Sequence, residues 1–341
     1  MSRYAESHKS SSLAGPGDAR PTALQIIRDE NLVGKLNDKV FLVTGVSSGI
    51  GIETLRALYV TGAHVYGTVR NAEKGQKVVD EITAKEPQGG KITLIQMELD
   101  SLEAIKEGAK SFLQKSGGKL NVLINNAGIM AVPFSKTKDG FESQLGTNHI
   151  GHFLLFQLLK KALLSSATPD FPSRVVSVSS TGHRFGPVRF HDLNFDKGDY
   201  NDWSSYGQSK TANIWFANYI ERHYGSRHLH ATSLHPGAIP FTNLGNHVDQ
   251  EQFKSYDTPE YRAYMKNAEQ GAATQVYAAV SEEWKDKGGK YLSNCAVQEA
   301  YGTTGVHPSH DDGFEKWAYD VEGEEKLWEE SLKIVGLPQE K

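Results

Sequence analysis

Cysteine is almost absent from this sequence, since Cys295 is the only one among 341 residues. No disulfide can form within the chain, and we expect a reducing compartment. Charge of one sign is not in large excess, because the formal net charge is −4, and no basic stripe suits a nucleic acid. No apolar run approaches the ~18 residues that cross a bilayer, and the first residues lack the apolar core of a signal peptide. These absences predict a cytoplasmic protein without a membrane or nucleic-acid partner.

The sequence contains instead short apolar segments that alternate with helix-forming segments between residues 40 and 335. Four apolar residues, Val40–Val43, are typical of a buried parallel strand. Strands that alternate with helices predict an α/β fold, a three-layer doubly wound parallel sheet forming a single domain over residues 22–341. Residues 1–21 are rich in Ser, Gly, Pro and charge, which predicts a flexible N-terminal extension.

A glycine-rich turn follows the first strand. Residues 44–51 read Thr-Gly-Val-Ser-Ser-Gly-Ile-Gly and lead into a helix-forming run, so free backbone N–H groups and the positive end of a helix meet at one point. That arrangement suits a phosphate or pyrophosphate, and glycine lets such a ligand approach the backbone. The spacing is G-x-x-x-G-x-G rather than the G-x-G-x-x-G of the usual dinucleotide fingerprint. An ordinary glycine-rich strand-to-helix turn is the alternative.

Polar residues also follow the later strands, at the edge where parallel sheets bind ligands. They are Arg70 after the second strand, Asn125, Asn126 and Gly128 after the fourth, Ser179 and Ser180 after the fifth, and His235, Pro236 and Gly237 after the sixth. Loops are polar in general, but that alone explains poorly why four strands end on Gly, Asn-Asn or Ser-Ser. We therefore expect a ligand site along this edge.

Four motifs in this order resemble those of the short-chain dehydrogenase/reductase family. They are the glycine turn at 44–51, the Asn-Asn-Ala-Gly run at 125–128, the Tyr206 and Lys210 pair with Ser180 before it, and Pro236-Gly237. The resemblance spans roughly residues 36–300 and is greatest to the soluble members of the branch that holds retinol dehydrogenases and WW-domain oxidoreductases. It implies a Rossmann-type fold, a nicotinamide dinucleotide cofactor, and hydride transfer between that cofactor and a carbonyl or secondary alcohol.

The family's catalytic residues correspond to Asn148, Ser180, Tyr206 and Lys210. Tyr206 and Lys210 are four apart on a predicted helix and share a face, so the ammonium would lower the pKa of the phenol from its usual value of about 10. Ser180 would stabilise charge on the substrate oxygen, with Ser179 as its rival. The resemblance implies that Asn148 kinks a long helix over residues 140–164 and helps to hold a water that links Lys210 to solvent. The alternatives are a chance surface pair and a solvent-facing Asn148.

The resemblance places the cofactor along the same edge. Its implied contacts are Gly45, Ser47, Ser48, Gly49, Ile50, Gly51, Arg70, Glu98, Leu99, Asn125, Asn126, Gly128, Tyr206, Lys210, Pro236, Gly237, Ile239 and Thr242. We expect NADP rather than NAD, because Val69 stands where an acidic residue would bind a ribose hydroxyl and the guanidinium of Arg70 suits a 2′-phosphate. An ion pair of Arg70 with Glu73 is the alternative.

Two segments, near 181–203 and 238–267, are expected to shape the substrate pocket. They carry many aromatic residues, Phe185, Trp203, Phe253 and Tyr256 among them, which predicts a lid and a fairly large apolar or aromatic substrate. The alternative is that these rings only pack the loops onto the body.

The histidine pairs at 149 and 152 and at 307 and 310 invite a metal site, but no carboxylate completes a ligand set, so no metal is expected. The leading hypothesis is an NADP-dependent oxidoreductase that works in the reductive direction on a small molecule. An NADP-binding sensor or scaffold without turnover is the alternative, and the glycine spacing disfavours a sugar-nucleotide epimerase. A homodimer through the helices near 140–165 and 204–224 is expected, unless the N-terminal extension blocks it.

Overall fold

The computed structural model describes residues 2–240, 242–245, 248, 258–303 and 310–339. Within them, one sheet runs in the order β3-β2-β1-β4-β5-β6-β7-β8. Its strands are β1 Val40–Val43, β2 His64–Val69, β3 Lys91–Gln96, β4 Val122–Asn125, β5 Ser173–Val178, β6 Leu229–Leu234, β7 Tyr291–Ser293 and β8 Ala296–Val297. All neighbouring strands pair in parallel except β8, which is antiparallel to β7. The strand order reverses between β1 and β4, and in such sheets ligands bind outside that point.

Helices cover both faces of the sheet. They are α1 Ala23–Asp29, α2 Ile50–Val60, α3 Ala72–Lys85, α4 Leu102–Ser116, α5 Ser143–Leu145, α6 Gly151–Ser166, α7 Asp202–Tyr224, α8 Pro259–Tyr264, α9 Ala268–Gly271, α10 Ala273–Val280 and α11 Val321–Ile334. Side chains of α4, α6 and α7 share one apolar core, and those of α1, α2 and α10 share the other. This confirms the doubly wound α/β fold. No helix in the described residues is long and apolar enough to cross a bilayer.

The long helix expected over residues 140–164 is interrupted. A π-helical turn, Gly146–Ile150, separates α5 from α6, and the N–H of Gly151 bonds the carbonyl of Gly146. A π-turn inserts one extra residue into the helical ladder, and such turns are frequent at functional sites. Asn148 lies at the middle of this turn, so its backbone departs from the regular α-helix.

The N-terminal segment differs from the flexible extension that its composition predicts. Arg20 is buried, pairs with Asp18 and donates hydrogen bonds to the carbonyls of Tyr264 and Met265, both at 2.6 Å. The hydroxyl of Tyr4 donates to Asp29 at 2.9 Å. A guanidinium carries five donors, and here backbone carbonyls from a distant segment satisfy several of them. The composition of residues 1–21 does not reveal those partners.

Candidate active site

The glycine turn after β1 is tight enough to exclude side chains. Gly45 and Gly49 have φ angles of 72° and 57°, which L side chains rarely adopt. A Cβ at Gly51 would stand 2.1 Å from the carbonyl oxygen of Gly45, and one at Gly45 would stand 2.8 Å from Cβ of Ala127. Ser47 and Ser48 lie within the turn, and α2 begins at Ile50. The crowded turn thus leads directly into the first turn of α2, and the N-terminus of a helix is where an anion can bind.

The two asparagines after β4 have different surroundings. The amide of Asn126 donates to the carbonyls of Thr44 and Gly45 at 2.8 and 3.3 Å and accepts from Gln275 at 3.2 Å, so it braces the glycine turn. Asn125 is 1% exposed, and neither atom of its side-chain amide has a hydrogen-bond partner in the described chain. A buried polar group without a partner is costly, so Asn125 fits a site that holds a polar ligand.

Tyr206 and Lys210 lie side by side on α7. Both are about 4% exposed, and Nζ of Lys210 lies 5.5 Å from the centroid of the Tyr206 ring. Nζ donates to the carbonyl of Val178 at 3.1 Å, at the end of β5. The spacing of four residues thus places the phenol and the ammonium in one buried site, which rules out a chance surface pair.

The two serines after β5 have different partners. Ser179 is buried, and its hydroxyl donates to the carbonyl of Lys210 at 2.7 Å. Ser180 accepts from the N–H of Gly182 at 2.9 Å and hydrogen-bonds the Tyr206 side chain. Ser180 is therefore the serine beside the phenol, while Ser179 anchors the helix that carries Lys210.

Burial controls the protonation of this pair. It raises the pKa of Tyr206 to about 12, and the hydrogen bond with Ser180 opposes that rise. Burial also lowers the pKa of Lys210 to about 8. The expected lowering of the phenol pKa by the ammonium is thus not what this structure shows, because desolvation of the phenolate outweighs the other effects.

Asn148 is fully buried in the π-turn, which excludes the solvent-facing alternative. Its Oδ1 accepts from the N–H of Ile129, and its Nδ2 donates to the carbonyl of Ile129 and to Oγ of Ser209, all at 2.9 Å. A Cβ on Gly128 would lie 3.1 Å from Oδ1 of Asn148 and 3.4 Å from Nζ of Lys210. The loop after β4, the π-turn and α7 therefore meet at Gly128.

The loop after β6 lies over the glycine turn. A Cβ on Gly49 would be 3.3 Å from the methyl carbon of Thr242. A Cβ on Gly271 would be 2.8 Å from Ile239 and 2.9 Å from Ile50, so these two side chains pack at one place. Gly237 has a φ of 104°, and its Cα faces the side chain of Lys266. This arrangement brings the segment that begins with Pro236 to the first turn of α2. Of the second substrate segment, Phe253 and Tyr256 lie outside the described residues.

The residues at the other end of the proposed cofactor site are more dispersed. Arg70 is exposed, and within the described residues it forms no ion pair with Glu73. Glu98 pairs with Lys138 instead. Leu99 is 8% exposed and belongs to the core that α4 and α6 share.

Two further residues hold the serine loop and were not singled out for this role from the sequence. A Cβ on Gly182 would be 2.5 Å from Cε1 of Tyr206. His183 is buried, its Nδ1 donates to the carbonyl of Ser180 at 2.6 Å, and its Nε2 accepts from the N–H of Glu315 at 3.1 Å. Burial lowers the pKa of His183 to about 3, so the ring is neutral. In the sequence, the glycine at position 182 was the only local sign of a close contact in this loop.

The paired histidines of α6 and its π-turn take part in hydrogen bonds. Nε2 of His149 is 2.9 Å from Oγ of Ser331, and Nε2 of His152 is 2.9 Å from Oγ1 of Thr44. In the part of the chain that the structure describes, which leaves out His307, no group of three His, Cys, Asp or Glu side chains could hold a metal ion.

Comparisons with known proteins agree with this geometry. A family model described as short chain dehydrogenase matches residues 39–252. The short-chain dehydrogenase/reductase prx1 of Penicillium roqueforti is 50% identical over 331 residues, which cover 95% of this chain and 93% of that protein. Human retinol dehydrogenase 11 is 36% identical over 305 residues, which cover 89% of this chain and 88% of that protein.

A solved structure of a Mycobacterium paratuberculosis protein is similar with a TM-score of 0.65 and 29% identity, over 96% of this chain and 100% of that chain. The family model covers more than half of the sequence, and the relatives cover nearly all of it. The chain therefore belongs to the short-chain dehydrogenase/reductase family of NAD(P)-dependent oxidoreductases.

Proposed function

We propose that this enzyme is an NADP-dependent reductase that converts a carbonyl group of a fairly apolar small molecule to an alcohol. The observation that carries the proposal is the buried phenol of Tyr206, hydrogen-bonded to Ser180 and beside Lys210. The phenol of Tyr206, whose pKa burial raises to about 12, is protonated at neutral pH and so carries a proton that it can give to a carbonyl oxygen. Reduction of a carbonyl needs such a donor.

The chain's own residues supply the proton and the charge stabilisation. The nicotinamide cofactor supplies the hydride when it is bound. Tyr206 donates its hydroxyl proton to the carbonyl oxygen, and Ser180 donates a hydrogen bond to the same oxygen as negative charge develops there. Nζ of Lys210 lies 5.5 Å from the centroid of the phenol ring, and a positive charge there favours departure of the proton. Asn148 supports both from the π-turn by fixing Ile129 and Ser209.

The glycine turn and its neighbours fit a dinucleotide. A close-packed cradle at Gly45, Gly49 and Gly51 faces the first turn of α2, where N–H groups would hold a pyrophosphate. Both amide atoms of the Asn125 side chain lack a hydrogen-bond partner among the residues that the structure describes. Arg70 follows β2, and Thr68 of that strand bonds Gly45, so Arg70 stands near the cradle. Its charge favours a 2′-phosphate, and hence NADP over NAD. The remaining residues assigned to the cofactor are Ser47, Ser48, Ile50, Glu98, Leu99, Asn126, Gly128, Tyr206, Lys210, Pro236, Gly237, Ile239 and Thr242.

An apolar substrate is supported by exposed rings next to the phenol. Phe185 is 52% exposed and lies 5.4 Å from Trp203, whose ring is 6.3 Å from that of Tyr206. On the loop after β4, Phe134 is 48% exposed and lies 5.1 Å from Tyr200. Exposed aromatic side chains beside a reactive group are typical of a site that binds an apolar ligand.

The test is NADPH oxidation by the purified protein against a panel of ketones, aldehydes and quinones, with NADH in parallel. We expect turnover with NADPH and a preference for aromatic or alicyclic carbonyls. Phe185→Ala should raise KM for the best substrate, whereas Val297→Ala, at a 48% exposed position on β8, should not. Turnover that prefers small polar aldehydes, or NADH, would contradict the proposal.

The catalytically silent alternative is tested by the same protein. Tyr206→Phe should abolish turnover while the protein still binds NADPH, because only one hydroxyl among the proposed cofactor contacts is lost. A wild-type protein that binds NADPH but reduces nothing in the panel would favour an NADP-binding sensor.

A further inference from the structure

We propose that His152 is a positioning residue that couples the glycine turn to the π-turn that carries Asn148. Nε2 of His152 is 2.9 Å from Oγ1 of Thr44, at the end of β1. Nδ1 of the same ring is 3.0 Å from the carbonyl oxygen of Asn148. The inference rests on the proposed function, because both ends of this contact belong to the proposed catalytic and cofactor site.

The hydrogen-bond partners of the His152 ring decide its tautomer. Oγ1 of Thr44 accepts from the N–H groups of Asn126 and Ala127, at 2.9 and 3.0 Å. Its hydroxyl proton can go to Nε2 of His152 at 2.9 Å or, over the longer distance of 3.5 Å, to the carbonyl oxygen of Ile124. The carbonyl oxygen of Asn148 can only accept, so Nδ1 of a neutral His152 carries the proton and Nε2 is left to accept from Thr44. Nδ1 thus donates a hydrogen bond to the backbone carbonyl of Asn148. The ring is buried, and burial lowers its pKa to about 4, in agreement with a neutral imidazole.

These hydrogen bonds form a closed network around the loop after β4. Thr44 holds the N–H groups of residues 126 and 127, and Asn148 holds both backbone groups of Ile129 through its side chain. His152 hydrogen-bonds both Thr44 and the backbone of Asn148. The two residues that hold the loop from opposite sides are therefore connected to each other through His152. Gly128, against Lys210, lies within the enclosed segment. Members of such a closed buried network strengthen one another.

Loss of His152 would therefore loosen one specific segment. Thr44 and Asn148 each bond backbone groups of the segment 125–129, and the His152 side chain bonds both of these residues. His149 supplies a matched control, since it lies three residues earlier, is 2% exposed as His152 is, and also bonds one hydroxyl, that of Ser331. Its partner lies on α11, away from the glycine turn.

Amide hydrogen exchange in the cofactor-free protein tests the inference without any assumption about function. We expect His152→Phe to speed exchange at residues 126, 127 and 129 by about tenfold, the change that follows from losing a hydrogen bond of ordinary strength. His149→Phe should leave these amides at the wild-type rate and change only exchange near α11. Unchanged exchange in His152→Phe, or equal changes in both variants, would overturn the proposal.

Cofactor affinity gives the second readout. His152→Phe should raise the Kd for NADPH by about tenfold, and so should Thr44→Val, while the double variant should lie near tenfold rather than a hundredfold, because both changes break one network. Multiplicative effects would show that the two residues act separately. His152→Gln, which can still bond Thr44, should recover part of the affinity and serves if His152→Phe does not fold. A wild-type protein that fails to bind NADPH would contradict the proposed function. The hydrogen-exchange experiment would still test the positioning role of His152.

Discussion

Gly182 packs against the edge of the Tyr206 ring, so closely that a Cβ at position 182 would stand 2.5 Å from Cε1 of that ring. Real Cβ atoms do not approach a carbon to that distance, so a side chain at this position must displace the ring or the loop. The same loop carries Ser180, whose hydroxyl accepts from the N–H of Gly182. Gly182 therefore sets the separation between the two groups that would act on the substrate oxygen.

Gly182→Ala should lower kcat by about 100-fold, because a misplacement of roughly 1 Å in a catalytic group has that effect. NADPH binding should change far less than kcat, since the glycine turn is untouched. The measurement is a pair of experiments on one preparation, steady-state NADPH oxidation and NADPH titration by fluorescence. Thr181→Ser, one residue earlier in the same turn, is the control and should retain activity. Full activity in Gly182→Ala would show that the ring tolerates the displacement.

The adjacent serines should separate catalysis from stability. Ser180→Ala removes the donor to the substrate oxygen and should lower kcat by about 10²–10³. Ser179→Ala removes the buried bond to the carbonyl of Lys210 and should lower the free energy of unfolding by about 1 kcal/mol, with a far smaller loss of activity. Urea unfolding and NADPH oxidation of both variants make the comparison. A larger loss of kcat in Ser179→Ala than in Ser180→Ala would show that Ser179, not Ser180, acts on the substrate oxygen.

Local patterns in the sequence predict the sheet and much of its ligand-binding edge. The spacing of Tyr206 and Lys210 is a property of one helix, and the glycines at 45, 49 and 51 are needed by one turn, so both could be read without the fold. The contact between Thr44 and His152 joins residues 108 apart, and that between Arg20 and Tyr264 joins residues 244 apart. No periodicity encodes such pairs. The effect of burial on the pKa of Tyr206 likewise depends on the whole fold, and the sequence favoured the wrong direction.

Arg70 is the residue on which the choice of cofactor depends. Arg70→Glu places a carboxylate where a 2′-phosphate would lie, so it should raise the Kd for NADPH by at least tenfold and change that for NADH little. Lys77→Glu makes the same charge change at an exposed position on α3 and is the control. Fluorescence titration with both cofactors measures the four values. Equal effects of the two variants would reduce the role of Arg70 to general electrostatics.

Four buried histidines should make the protein sensitive to acid. Burial lowers the pKa of His149 and His183 to about 3 and that of His152 and His235 to about 4. An unfolded histidine titrates near 6.5, so below that pH the unfolded chain binds protons that the folded chain does not. Stability is then highest above pH 6.5 and falls as the pH drops toward 4.

The slope of the unfolding free energy against pH can be assigned to single histidines. Each such histidine contributes about 1 kcal/mol per pH unit between its two pKa values. His149→Phe should therefore flatten the dependence of unfolding free energy on pH by that amount between pH 6 and 5, whatever it does to the stability at pH 7. Urea unfolding at several pH values gives both slopes. Parallel curves for the variant and the wild type would mean that His149 titrates normally in the folded protein.

The C-terminal helix α11 covers the helices through which a homodimer was expected. The indole of Trp328 stacks on Tyr219 at 3.9 Å and meets the rings of Phe153, Phe156 and Phe216 within 6.1 Å. Every residue of α7 from 205 to 220 is buried, so this part of the helix has no face left for a partner. A helix enclosed on all sides belongs to the interior of one chain. We therefore expect a monomer of 37.6 kDa.

Light scattering after size-exclusion chromatography measures that mass directly. Trp328→Ala should lower the free energy of unfolding by about 3–5 kcal/mol and uncover an apolar face, so it should shift the protein toward dimers or larger species. Val321→Ala, at a 53% exposed position in the first turn of α11, should remain monomeric with wild-type stability. A wild-type mass of two chains would require either a different pairing surface or a displaced α11. The variant Lys161→Glu, on the exposed side of α6, would then test whether that side forms the contact. A charge reversal inside an interface weakens association, whereas one outside it does not.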